Sequence, residues 1–392
     1  MERTIRLFDE DSFLSEFSAT VIYCEPIGND FSIVLDKTAF FPEGGGQTSD
    51  TGIIEGAKVT AVTEKCGIIY HRVSAGFKIG TTVNCKIDFD ARFDKMQNHS
   101  GEHIVSGLIC NKFGFNNVGF HLGAEDVTLD FNGVLTAKDL LEIERLANNV
   151  VYENIEIKTE YPSNEVLSTL NYRSKLELTE NIRIVTIGKY DICACCAPHV
   201  KYTGQIGAVR FTGFEKYKGG TRLTIACGNR ALKHFNMLKS NVQKISALLC
   251  AKQCETACAV ADLIAERDKL KYNIAALIKE KCNNTVQGIM KSENPLLLIE
   301  SGLDFTEMRL IANGAKEKVP FCLIISPEST GGKYLCASNI YACNSIAASL
   351  NKAFCGKGGG TKLMAQGNLQ SGSKKEFEEY FNNLLTSIDN MV

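Results

Sequence analysis

Over residues 1–90 the apolar positions come in short β-branched runs: FSATVIYCE, FSIVLD, AKVTAVTE, GIIYHRV and TVNCKIDF. Turn signals such as Gly28-Asn29-Asp30 and Gly52 separate them, a spacing that predicts the strands of a small barrel or curled sheet. One stretch breaks the pattern. FFPEGGGQTSDTG, from Phe40 to Gly52, holds three consecutive glycines, which no strand interior favours. From residue 91 the period changes. DKMQNHSGEHIVSGLICNKFG has helical spacing, with Met96, His99, His103 and Gly107 on or near one face and Gly114 as its stop. NVGFHLGAEDVTLDF predicts strand, turn, strand. AKDLLEIERLANNVVYEN predicts an amphipathic helix with Leu140, Leu141, Ile143, Leu146 and Val150 as its stripe. IEIKTEYP and IRIVTIGKYD read as strands, and CACCAPHVKYTGQIGAVRFTGF as a loop leading into a strand.

From Ala231 to about residue 285 the pattern is long-helical and free of proline. Val242, Ile245, Leu249 and then Leu263, Leu270, Ile274 and Leu277 keep three/four spacing, interrupted near KQCETACA. Two helices, or one bent helix, would form a coiled-coil-like connector. Residues 290–392 alternate strand and helix, with CGKGGGTK as a loop, and predict a separate α/β domain. The fold class expected is therefore α+β multidomain. Its parts are an N-terminal β-barrel (1–90), an α+β domain (91–230), the helical connector (231–285) and the C-terminal α/β domain (290–392).

Composition narrows the class. At 392 residues with 43 basic and 45 acidic side chains, the net charge is −2, so nucleic-acid contact must come from local patches. A hydrophobic content of 44% is globular, and neither a membrane-length apolar run nor a signal-peptide core is evident, which leads us to expect a soluble, cytoplasmic protein. Sixteen cysteines would suggest disulfides in a small secreted chain; in this long one, most are expected reduced and buried. Cys250, Cys254 and Cys258, spaced i, i+4, i+8, read as small residues at a helix contact.

The chemistry concentrates in two motifs. His99 and His103 are one helical turn apart, so both imidazoles project from one face and can bind a single ion. Cys195 and His199 repeat the four-residue spacing inside CCAPH. One thiolate and three imidazoles make a complete tetrahedral zinc set. Cys193 and Cys196 compete for the thiolate place. HSGEH also fits the inverted zinc-peptidase pattern, with Glu102 as base, although that site needs a downstream carboxylate ligand.

FFPEGGGQTSDTG, NHSGEH, CCAPHV and KGGTRLTIACGNRAL follow the order and approximate spacing of the editing half of alanyl-tRNA synthetase. They resemble still more its free-standing relatives, the long AlaX-type alanyl-tRNA editing proteins, and GKGGGTKLMAQG resembles the glycine-rich signature of their DHHA1 domain. The resemblance implies a hydrolase that removes serine, with glycine as a second candidate, from mischarged alanine tRNA. It implies zinc at His99, His103, Cys195 and His199. Where the synthetase usually has Cys-Gly-Gly-Thr-His, this chain has Cys195-Cys196-Ala197-Pro198-His199, a turn stiffened by proline.

Choosing serine over alanine requires a polar side chain beside the metal, because an apolar pocket barely registers a hydroxyl. Gln47, which ends the glycine turn, is the candidate, with Gly44, Gly45 and Gly46 letting backbone amides approach the substrate. Glu43 and His121 are further candidates for the catalytic group. Lys357, Gly358, Gly359, Gly360 and Lys362 are the candidate tRNA contact, supplemented by Lys216, Lys218 and Arg222. With no phosphate-loop motif, ATP use is not expected. The apolar connector stripe predicts a homodimer through the connector and C-terminal domain. The competing functions are a zinc peptidase-like hydrolase and a non-catalytic tRNA-binding module.

Overall fold

The computed structural model describes residues 2–174 and 182–386. Residues 175–181 of the expected 91–230 domain and 387–392 of the last domain lie outside the described residues. The chain divides into two compact units, Met1–Lys244 and Ile245–Val392.

Six strands of the first unit are β1 (Glu16–Ile27), β2 (Asp30–Leu35), β3 (Gly52–Ile54), β4 (Ala57–Lys65), β5 (Ile68–Val73) and β6 (Thr82–Ile87). They close a barrel in the order β1-β2-β5-β4-β3-β6. Period-two alternation builds it: in β6 Val83, Cys85 and Ile87 are buried while Thr82, Asn84 and Lys86 are exposed. The length of β1 allows closure, because its start pairs with β6 and its end with β2. Phe40 and Phe41 join the barrel core, anchoring the start of the glycine stretch. Its far end is tied by Asp50, whose carboxylate accepts from the Phe41 N–H and from Arg92. Arg92 is fully buried and donates also to the carbonyls of Ser12 and Ala39, so its charge is both paired and hydrogen-bonded.

Helix α1 (Phe89–Phe113) starts at Asp88, whose side chain accepts from Ala91 N–H, and stops at Gly114 in the left-handed region. Its middle, from Met96 to Ile109, is buried on every side. A Cβ on Gly107 would lie 2.4 Å from the Tyr190 carbonyl oxygen, so only glycine permits that approach. Around α1 lie β7 (Asn117–Leu122), β8 (Val127–Phe131), α2 (Ala137–Glu153), β9 (Ile157–Glu160), β10 (Ile184–Ile187), β11 (Asp191–Ala194), β12 (Val209–Tyr217) and β13 (Gly220–Cys227). These strands form an antiparallel sheet β12-β13-β8-β7 and a three-stranded sheet β9-β10-β11. Leu140, Ile143 and Val150 of α2 are buried as expected, but Leu141 is exposed, because it falls beside the stripe rather than on it.

Helix α3 (Asn229–Leu249) runs across the division between the units. It ends at Cys250 in the left-handed region, and α4 (Thr256–Gly288) begins after a short 3-10 turn. Cys250, Cys254 and Cys258 are all exposed and do not share one helix face, which corrects the expected small-residue contact. The second unit continues with β14 (Leu296–Ile299), α5 (Phe305–Ala315), β15 (Phe321–Pro327), β16 (Gly332–Ser338), α6 (Cys343–Ala353), β17 (Lys357–Gly360), β18 (Met364–Leu369) and α7 (Lys374–Leu385). Its sheet order is β14-β15-β16-β18-β17. Alternate residues of β15 feed two cores, Phe321, Leu323 and Ile325 one side and Cys322 and Ile324 the other. Lys357–Gly360, read from sequence as loop, is an edge strand paired with β18. Glycines carry no alternating side chains, so the sequence held no strand signal there. The observed class is mixed α and β with two units. Among the described residues, no helix is long and apolar enough to cross a membrane.

Candidate metal centre

Buried α1 holds His99 and His103 one turn apart, and the turn after β11 brings Cys195 and His199 against them. One ligand atom from each of the four lies within 4.8 Å of the others. The Cys195 Sγ is 3.5 Å from His99 Nε2 and 3.4 Å from His199 Nε2. Zinc bonds of roughly 2.0–2.1 Å to nitrogen and 2.3 Å to sulfur, at tetrahedral angles, give an N···S edge of about 3.5 Å. The donor set therefore fits zinc in both kind and spacing.

Each imidazole is oriented by a partner on its other nitrogen, as metal-bound histidines require. His99 Nδ1 lies 2.9 Å from Gln47 Oε1, His199 Nδ1 3.0 Å from Ser100 Oγ, and His103 Nδ1 2.9 Å from Asp191 Oδ2. With Nε2 facing the other clustered donors, Nδ1–H would be the donor to the Gln47 and Asp191 oxygens. Asp191 is itself gripped by Arg173 through both carboxylate oxygens, at 2.7 and 2.9 Å. Arg183 donates to the carbonyls of Cys195 and Ala197, fixing the ligand turn. Burial first, then the neighbouring His103 and His99, hold His199 well below the usual histidine range, and so neutral as a ligand must be. Burial pushes the Cys195 thiol up, so its thiolate needs a cation beside it.

Cys195 rather than its rivals meets the histidines. Cys193 lies with His103 and Asp191 on the other side of that ring, and Cys196 is exposed. Gln47 is buried beside His99, and its Nε2 has no hydrogen-bond partner among the described residues. The glycine turn is next to the centre, with Cys196 Sγ 3.5 Å from where a Gly45 Cβ would stand. Gly44 does not offer its amide, since its N–H donates to Gln47 O at 3.1 Å. Two candidates are not brought in. Glu43 is exposed, outside the buried cluster. His121 is also exposed: its neighbour Phe120 packs on His99 with ring centroids 4.8 Å apart, and strand alternation turns the next residue to the other face. Arg222 is occupied by Asp130 and lies 3.6 Å from the centroid of the Tyr217 ring.

Sequence reasoning missed Asp191, Ser100, Arg173 and Arg183. A carboxylate opening the strand that runs straight into the cysteine turn was the available signal for Asp191. Glu102, considered as a peptidase base, accepts from Ser106 Oγ at 2.7 Å and Asn117 Nδ2 at 2.6 Å, while its other oxygen lies 3.8 Å from His103 Nε2.

Residues 4–91 match the family described as tRNA synthetases class II (A), and residues 182–224 match the threonyl and alanyl tRNA synthetase second additional domain. By class, then, two segments of this chain are similar to modules of aminoacyl-tRNA synthetases. In particular, the chain resembles the free-standing alanyl-tRNA editing proteins, as its motifs do. It is 26% identical to the alanyl-tRNA editing protein Aarsd1 of Mus musculus, over 94% of this chain and 95% of that protein. The Xenopus laevis protein Aarsd1-A is also 26% identical, across 97% of both. The alanine–tRNA ligase of Pyrococcus abyssi is 31% identical over 95% of this chain, which spans 43% of the ligase's length.

Proposed function

We propose that this chain is an aminoacyl-tRNA deacylase, a trans-editing hydrolase for mischarged alanine tRNA with seryl and secondarily glycyl esters as substrates, and no ligase. The observation that carries the reading is Gln47. Its oxygen is committed to His99, so its amide nitrogen must face elsewhere, and that buried donor has no partner among the described residues. A buried unpartnered N–H costs free energy until something accepts from it. A seryl hydroxyl would accept from it, and alanine, which lacks one, would leave the donor unsatisfied. Discrimination then comes from the penalty, as in sites that reject analogues missing a hydroxyl.

His99, His103, Cys195 and His199 would hold zinc. When bound, it supplies Lewis-acid stabilisation of charge developing on the ester carbonyl. The chain's own residues do the rest. Gln47 would orient the substrate side chain beside the glycine turn and Phe120. Hydrolysis joins a water oxygen to the carbonyl carbon and returns the ribose oxygen with a proton. The exposed glycine edge strand with Lys357 and Lys362 is our candidate contact for the tRNA backbone. We also infer a homodimer through the exposed seam of α4.

Incubation with seryl- and alanyl-charged alanine tRNA tests the reading. Serine is expected to be released preferentially, with Gln47→Leu lowering kcat/KM for the seryl substrate roughly tenfold, the worth of a hydrogen bond, and narrowing the preference. Tight tRNA binding without turnover would instead identify a binding module. Peptide cleavage lost in Glu102→Gln would identify a peptidase.

A further inference from the structure

Three side chains of α1 meet the descending arm of the glycine stretch in antiparallel order. Arg92 donates to Asp50, and His99 Nδ1 lies 2.9 Å from Gln47 Oε1. Between them, Lys95 Nζ donates to the carbonyls of Ser49 at 2.5 Å and Thr48 at 3.3 Å. Positions 92, 95 and 99 share one helix face. From Arg92 to His99 the helix rises about 10.5 Å. The arm from Gln47 to Asp50 covers at most about 10–11 Å when extended. Helix and arm therefore match in length as well as in order.

We infer that Lys95 is a positioning residue that sets where the Gln47 amide points, and through it the preference for seryl over alanyl esters. Upstream, Gln47 is fixed by its mutual backbone bonds with Gly44, and the Gly46 carbonyl accepts from Leu122 N–H. Downstream, Lys95 grips the two carbonyls that directly follow Gln47. It is half-buried, and burial, the first cause, lowers its pKa. The two carbonyls replace water that this ammonium has lost. Releasing them lets the Gln47 backbone turn about the one point held by His99, which swings Nε2. A hydrogen bond weakens steeply once its donor leaves the roughly 2.7–3.2 Å range or tilts. Selection by an unsatisfied donor therefore depends on this clamp.

The effect on preference rests on the proposed deacylase reading; the clamp itself does not. Full-length, zinc-supplied wild type, Lys95→Met, Lys95→Arg, Gln47→Leu and the Lys95→Met/Gln47→Leu double variant are compared. Seryl- and alanyl-tRNA kinetics and amide hydrogen exchange over residues 42–50 are measured, with thermal melts confirming the fold and Lys95→Ala in reserve. The seryl-to-alanyl ratio of kcat/KM is expected to fall roughly fivefold in Lys95→Met. It should return in Lys95→Arg, which keeps a cation with forked donors. The double variant should lose no more than Gln47→Leu alone, because both changes act through one donor. Exchange over residues 42–50 should quicken in Lys95→Met. A lysine that only stabilises the fold would lower Tm and leave the ratio alone. An unchanged ratio in folded Lys95→Met, or additive losses in the double variant, overturns the inference. Should the wild type release no amino acid from either tRNA, the deacylase reading falls and exchange decides the clamp. Faster exchange in Lys95→Met, restored in Lys95→Arg, upholds it; unchanged exchange removes it.

Discussion

The three histidines of the centre are held from behind by an amide oxygen, a hydroxyl and a carboxylate. The carboxylate is the strongest acceptor, so Asp191 contributes most to ligand orientation and basicity. Asp191→Asn is expected to weaken zinc binding by roughly 10–100-fold in chelator competition, with a smaller loss for Ser100→Ala. Metal analysis should find one zinc per chain in the wild type and little in Cys195→Ala; equal zinc in both would reject the ligand assignment. The four residues that cluster were legible from two four-residue spacings. Their supports were not, because Gln47 and His99 are 52 residues apart and His103 and Asp191 are 88 apart, so no local pattern links them. His121 falls on the solvent face for a related reason: one residue of strand parity separates it from Phe120, which packs on His99.

At the scale of elements, the barrel hides a titratable group in its core. His71, on β5, lies with Nε2 2.9 Å from Thr38 Oγ1 and Nδ1 3.2 Å from the Ile33 carbonyl oxygen, and burial lowers its pKa to about 4. An unfolded histidine titrates near 6.5, so between those values the unfolded chain binds the extra proton. Stability is therefore full above pH 6.5 and falls as pH drops, by up to about 3 kcal/mol near pH 4. Urea midpoints of wild type and His71→Gln across pH 4.5–7.5 measure this, and a parallel decline in both would reject it. Strand alternation made the barrel segments readable, and helix period with a glycine stop made α1 readable. Where side chains vanish, as in Lys357–Gly360, the pattern vanishes too, and backbone pairing with β18 decides the conformation.

For the whole molecule, the open question is what covers α4. Val260, Leu263, Leu270, Ile274 and Leu277 follow three/four spacing, yet all are exposed. Glu266 and Lys271, five residues apart on its flanks, complement each other between parallel copies. Light scattering of the full chain is expected near twice 43.0 kDa, falling to the monomer value in Leu270→Glu. A full-length monomer at micromolar concentration would remove the dimer. The glycine turn has a consequence at the same scale. Gln47 ties that turn to His99, whose orientation matters only while the centre is loaded. Stripping the metal should therefore expose residues 42–49 to limited proteolysis, and resupplying zinc should restore resistance. An unloaded chain would be cut where a loaded one survives, so the lifetime of this protein in a cell would follow its zinc supply.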